Sequence, residues 1–185
     1  MSRYYEDSRK LAYKLTKWSM NLKENRKRFI ITSGGGPGIM EAANRGADEA
    51  KGLAVGLNIT LPYEQSGNKW ISKDLSLYFH YFFMRKFWFL YLAKALVIFP
   101  GGFGTLDELM ELLTLIQTEK IRKKVPVVVY DKKFWNKIIN FDQLVKMGTI
   151  SKEDMKLFYM TDSIDDAYKY LTKEIVKAHL KGKNF

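Results

Sequence analysis

The chain has 185 residues, 46% of them hydrophobic and 28% charged, with a net charge of +11 and no cysteine. The length suits one domain, 1–185, with a sizeable core, and the missing cysteine excludes disulfides, thiolate zinc centres and cysteine nucleophiles while agreeing with a reducing cytoplasm. The basic balance could serve nucleic acid, but the lysines are scattered along the chain, and the apolar stretch 75–99 is broken by Arg85, Lys86 and Lys94, which argues against a membrane span.

Residues 3–24 read as a helix with Tyr4, Leu11, Leu15, Trp18 and Leu22 along one face, closed by Asn25, Arg26, Lys27 and Arg28. Phe29, Ile30, Ile31 and Thr32 form a short strand that runs into the glycine-rich loop 33–38. A helix opens after it, with Pro37 placed for the first turn and Ala42, Ala43, Gly46, Ala47 and Ala50 small enough for close packing. Residues 53–59 are the next strand, 61–73 a surface loop over the site, and 76–79 a short strand. Residues 80–94 read as a helix that is aromatic on nearly every side, so either its own core or a partner chain covers it. Arg85 in this run needs a phosphate or a carboxylate such as Glu108 as its partner.

Residues 95–99 are a strand, followed by a turn with Gly101, Gly102 and Gly104 and a helix to about Thr118. Residues 125–130 form a further strand and 134–147 a helix; Ser151 and Asp154 cap a short helix. Residues 157–160 are an edge strand, and Asp162 or Ser163 caps a terminal helix to about Leu180. Strands and helices alternate throughout, which implies an α/β, doubly wound parallel sheet flanked by helices. Ligands in such sheets bind beyond the carboxyl ends of the strands, where both glycine loops fall.

Each strand–glycine loop–helix unit leaves backbone N–H groups unpaired at a helix N-terminus and so offers an anion site. Thr105 either caps its helix or gives its hydroxyl to a phosphate oxygen, and Glu108 either completes a capping box or acts as a catalytic carboxylate. Asp107 and Glu108 point about 100° apart on a helix, and the spacing from Thr105 puts Glu108 on the site side. Neither loop carries the usual dinucleotide or P-loop fingerprint. No metal site is read: His80 and His179 lack carboxylates at ligand spacing, and His80 is expected to be a hydrogen-bonded core residue. No nucleophile elbow is present for Ser-His-Asp chemistry.

Three motifs taken together resemble the LOG (Lonely Guy) family: Ser33-Gly34-Gly35-Gly36-Pro37-Gly38-Ile39-Met40-Glu41-Ala42-Ala43, Met84-Arg85-Lys86, and Pro100-Gly101-Gly102-Phe103-Gly104-Thr105-Leu106-Asp107-Glu108. The last matches the family's PGGxGTxxE pattern in full, and the resemblance runs from about Phe29 to about Tyr170, closer to the longer bacterial branch. It implies a Rossmann-like fold and a phosphoribohydrolase that cleaves adenosine or cytokinin riboside 5′-monophosphates to free base and ribose 5-phosphate, with no cofactor. The family's motif arginine and glutamate fall on Arg85 and Glu108, the catalytic pair. Substrate binding falls on Gly34, Gly35, Gly36, Gly38, Met84, Lys86, Gly101, Gly102, Gly104 and Thr105. The resemblance also implies a homodimer or higher homo-oligomer with its pocket near the subunit interface. The older name of the family, possible lysine decarboxylase, finds no pyridoxal-binding lysine motif here.

One departure is expected to matter. Family members begin with a strand and a Gly-Ser loop before the first helix, whereas this chain enters that helix almost at once. Either the start is internal to a longer product or something else fills the gap, and a lost central strand unpairs two neighbours. Two rival readings share the scaffold: a binder of a phosphorylated ligand, like a molybdenum-cofactor carrier, and a single-stranded nucleic-acid binder.

Overall fold

The computed structural model describes residues 2–22, 29–61 and 66–180. The chain divides into two compact units, Met1–Leu92 and Ala93–Phe185. The expected capping residues 25–28 and the C-terminal residues 181–185 lie outside the described residues.

The first unit opens with helix α1 (Ser2–Met20), followed by strand β1 (Ile31–Ser33), helix α2 (Ile39–Glu49), strand β2 (Ala54–Ile59), strand β3 (Ser76–Phe79) and helix α3 (Phe82–Leu92). β1, β2 and β3 make a parallel sheet in that order, with Ile31 beside Ala54 and Gly56 beside Ser76. α1 packs along α2, and α2 lies against β1 and β2. The small residues of α2 allow this: Ala42, Ala47 and Ala50 are buried, and a Cβ on Gly46 would stand 2.1 Å from the carbonyl oxygen of Arg9. Arg9 Nε donates to Glu49 across the helix pair and its Nη1 to Glu6 within α1, both at 2.7 Å.

The second unit holds strand β4 (Leu96–Ile98), helix α4 (Phe103–Gln117), strand β5 (Val127–Tyr130), helices α5 (Lys132–Ile138) and α6 (Phe141–Lys146), strand β6 (Tyr159–Thr161) and helix α7 (Ile164–Ile175), which continues as a π-helical turn, Val176–Leu180. Its sheet is also parallel, in the order β4-β5-β6. β5 lies between two neighbours and is buried along its whole length, as its run of valines requires. Phe99, just past β4, is buried and packs its ring 4.8 Å from that of Tyr130.

The expected α/β class stands: parallel sheets with helices against them. The strands form two three-stranded sheets, and β1 and β4 each have a single paired neighbour among the described residues. The helix expected over 134–147 is two helices instead. Ile139 is extended, and Asn140 restarts the chain by accepting a hydrogen bond from Gln143 N–H at 2.9 Å. The expected cap pair is present, with Ser151 N–H donating to Asp154 Oδ2 at 2.7 Å and Asp154 N–H donating to Ser151 Oγ at 3.2 Å, but it starts only a 3₁₀ turn, Asp154–Lys156. Ser163 rather than Asp162 caps α7, by accepting from Asp166 N–H at 3.2 Å.

Candidate active site

The first glycine loop leaves the carboxyl end of β1 and is held by buried amides. Gly35 N–H donates to Ser33 Oγ at 3.1 Å, and Ser33 Oγ donates to Asn44 Oδ1 at 2.5 Å. Asn44 Nδ2 donates to the carbonyl of Val55 at 3.1 Å, which ties the loop to α2 and β2 together. Gly35 has φ +75°, and a Cβ there would stand 1.9 Å from Asn58 Oδ1, so only glycine fits. Asn58 is itself fixed: its Nδ2 donates to Ser76 Oγ at 3.0 Å and to the carbonyls of Leu77 and Gly56 at 3.2 and 3.3 Å. Gly38, at φ +71°, is the N-cap of α2, so Pro37 precedes the helix rather than opening its first turn.

Arg85 reaches this loop from α3. Its Nη1 would lie 3.5 Å from a Cβ on Gly34. The guanidinium carbon sits over the rings of Phe82 and Phe89, at 5.2 and 5.8 Å from their centroids. These residues lie three before and four after Arg85, so one helix face carries the cation and both rings. Met84 is exposed and Lys86 half-buried on the same helix. The structure thus brings Gly34 and Arg85 together within the first unit.

The second glycine turn belongs to the other unit. Helix α4 starts at Phe103 with Gly102 as N-cap, three residues earlier than a Thr105 cap requires. Thr105 is therefore inside the first turn, and its N–H donates to the Gly102 carbonyl at 3.1 Å. The helix start leaves the N–H groups of Phe103 and Gly104 without intrahelical acceptors. A Cβ on Gly102 or Gly104 would meet nothing within 4 Å, so the space at their missing side chains is open. Glu108 is the sixth residue of α4, too far along for a capping box. It is half-buried, three residues after half-buried Thr105, whereas Asp107 is exposed.

Other expectations needed correction. His80 is exposed against Tyr81, not a core residue. Of the two covers expected for α3, its own core is the one the structure overturns: Leu90 is its buried residue, while Phe83, Phe87 and Tyr91 are 66%, 52% and 61% exposed, which leaves a partner chain as the alternative. The amides Asn44, Asn58 and Asn68 escaped sequence reading. Their signal was polarity in the wrong place: Asn58 interrupts the apolar strand Leu57-Asn58-Ile59, and Asn44 sits among alanines. Among the described residues no group of three His, Cys, Asp or Glu could hold a metal, and no helix is long and apolar enough to cross a membrane.

A family model described as possible lysine decarboxylase matches residues 40–171. The rice (Oryza sativa subsp. japonica) protein described as probable cytokinin riboside 5′-monophosphate phosphoribohydrolase LOG4 is 30% identical over 81 residues, 44% of this chain and 35% of that protein. The match thus spans about a third of the rice protein's length. Among solved structures, the molybdenum cofactor carrier protein of Chlamydomonas reinhardtii is similar, with TM-score 0.67 at 17% identity over 96% of this chain and 90% of the carrier. TM1055, a structural-genomics target, is similar with TM-score 0.61 at 21% identity over 93% of this chain and 89% of its own. At these identities the structural likeness speaks for the fold.

Proposed function

The chain belongs to the LOG family, and from that premise we propose that it hydrolyses the N-glycosidic bond of a nucleoside 5′-monophosphate, AMP or a cytokinin riboside 5′-monophosphate, to free base and ribose 5-phosphate. The observation that carries this reading is the start of α4. A glycine turn with open space at the missing side chains of Gly102 and Gly104 is followed by a hydroxyl at Thr105 and a carboxylate at Glu108 on one helix face. The amides at the helix N-terminus, its dipole and the Thr105 hydroxyl suit the 5′-phosphate. Gly101, Gly102 and Gly104 let backbone approach it closely.

As the bond from C1′ to the base nitrogen breaks, the electron pair leaves with the base and positive charge develops on the ribose, as in glycoside hydrolysis. Glu108 stabilises that cation and orients the water that attacks C1′, taking its proton. The family resemblance assigns Arg85, steadied between Phe82 and Phe89, to catalysis as well. The loop 34–38, Met84 and Lys86 are assigned substrate binding by the family resemblance. The exposed aromatic ridge of α3 supports a homodimer or higher homo-oligomer, and the absence of cysteine supports a cytoplasmic setting.

The likeness to a cofactor carrier supports a second reading, in which a phosphorylated ligand is bound without turnover. Adenine release from AMP separates the two. The hydrolase releases adenine, and Glu108→Gln lowers release by at least about a thousandfold while AMP still binds. Full activity in that variant overturns the assignment, and AMP binding without release by the wild type favours the carrier reading.

A further inference from the structure

The chain following β2 returns to the first glycine loop and grips it with one side chain, Asn68. Asn68 Nδ2 donates to the carbonyls of Gly35 at 3.0 Å and Gly36 at 3.1 Å, and to Asn44 Oδ1 at 3.0 Å. The Asn68 backbone N–H donates to the Gly35 carbonyl at 2.8 Å, and its Oδ1 accepts from Trp70 N–H at 3.2 Å. The amide is therefore oriented unambiguously: nitrogen toward three oxygens, oxygen toward an N–H.

We propose that Asn68 is a positioning residue for nucleotide binding, acting through the peptide between Gly35 and Gly36. This rests on the reading that the loop lines the nucleotide pocket. In a trans peptide the carbonyl and the following N–H point in opposite directions. Holding the Gly35 carbonyl toward Asn68 turns the Gly36 N–H away from it, to the other face of the loop, as a donor for the ligand. Residue 37 is proline and brings no N–H of its own, so Gly36 supplies the donor at that step of the loop. Asn58 blocks the loop from sinking, since its Oδ1 occupies the space beside the Gly35 Cα, and Asn68 keeps the peptide from flipping. Both glycines are free to rotate, which is why the peptide needs an external hold.

The sharp test is Asn68→Asp. It keeps the shape but places a carboxylate oxygen against two carbonyls and Asn44 Oδ1. Asn68→Ser removes the side-chain donors to both carbonyls without adding charge, and Lys69→Ala alters the exposed neighbour as a control. AMP affinity is measured by calorimetry, and the Gly36 amide is followed by NMR shift and hydrogen exchange. The expected result is an AMP Kd raised about tenfold or more in Asn68→Asp and severalfold in Asn68→Ser, with Lys69→Ala unchanged. Exchange at Gly36 quickens in both Asn68 variants, and turnover at saturating AMP is retained. Unchanged affinity and an unchanged Gly36 signal overturn the role. So does an affinity loss without any change at Gly36. If Asn68→Asp fails to fold, Asn68→Ser decides by the same criteria. Binding is read without turnover, so a wild type that binds AMP but releases no adenine overturns the hydrolase reading alone.

Discussion

The side chain of Thr105 occupies the space that a Cβ on Gly101 would need, with Oγ1 only 2.1 Å from that position. The threonine hydroxyl is thus pressed over the glycine turn rather than turned out to solvent. Gly102 and Gly104, in the same turn, have nothing near their missing side chains. Three glycines in one motif therefore serve two purposes, and substitution separates them.

Gly101→Ala must push Thr105 aside, so we expect a loss of about 1–3 kcal/mol of stability together with loss of phosphate binding. Gly104→Ala adds a methyl in open space and gains helix propensity, so its melting temperature holds or rises. The same methyl enters the anion's room, and phosphate affinity falls about tenfold or more. Thermal melts and AMP titrations of the two variants check this, and Gly104→Ala with unimpaired affinity counts against the cradle.

Gly46 is a packing glycine of another kind. A Cβ there meets the Arg9 carbonyl oxygen at 2.1 Å and the Ala12 Cβ at 3.0 Å, and a backbone oxygen cannot swing aside. Gly46→Ala forces α1 away from α2. The overpacking outweighs the gain in helix propensity, and we expect a net loss of about 2 kcal/mol by urea unfolding. Equal or greater stability in the variant shows that the helix pair yields freely.

The ridge on α3 predicts self-association. Phe87 and Tyr91 stack with centroids 5.1 Å apart, and both are more than half exposed. Exchanging both for aspartate puts charge on a surface that needs no burial for the monomer to fold. Sedimentation should show the wild type as a dimer or larger and the double variant as a monomer. A monomeric wild type removes the reason offered for the ridge.

Lys123 predicts a pH effect. Burial, and then the charge of Lys94, lower its pKa from 10.5 to about 8. Folding disfavours the charged amine, so the penalty is full below pH 8 and is relieved as pH rises from 8 toward 10.5. Lys123→Gln removes the titration. It should be more stable than the wild type at pH 7 by about 1 kcal/mol, after discounting for partial solvent exposure, and the advantage should vanish by about pH 10. Stability curves for both proteins across that range check the sign.

What the sequence determined by itself was local chemistry and order. The valine run Val127, Val128 and Val129 reads as a strand, and Asp162 and Ser163 announce a helix start, with the choice between them left to the structure. The glycine turn and the spacing from Thr105 to Glu108 were readable because helix periodicity alone sets which side chains share a face. Tertiary structure decided which alternatives won. Thr105 became the cover of Gly101 rather than a cap because α4 began at Phe103, and the break at Ile139 and Asn140 split a helix that periodicity would have carried through. The grip of Asn68 on Gly35 and Gly36 joins residues more than thirty positions apart. No local pattern encodes that pairing, because it exists only where a returning loop meets two backbone carbonyls that need a donor.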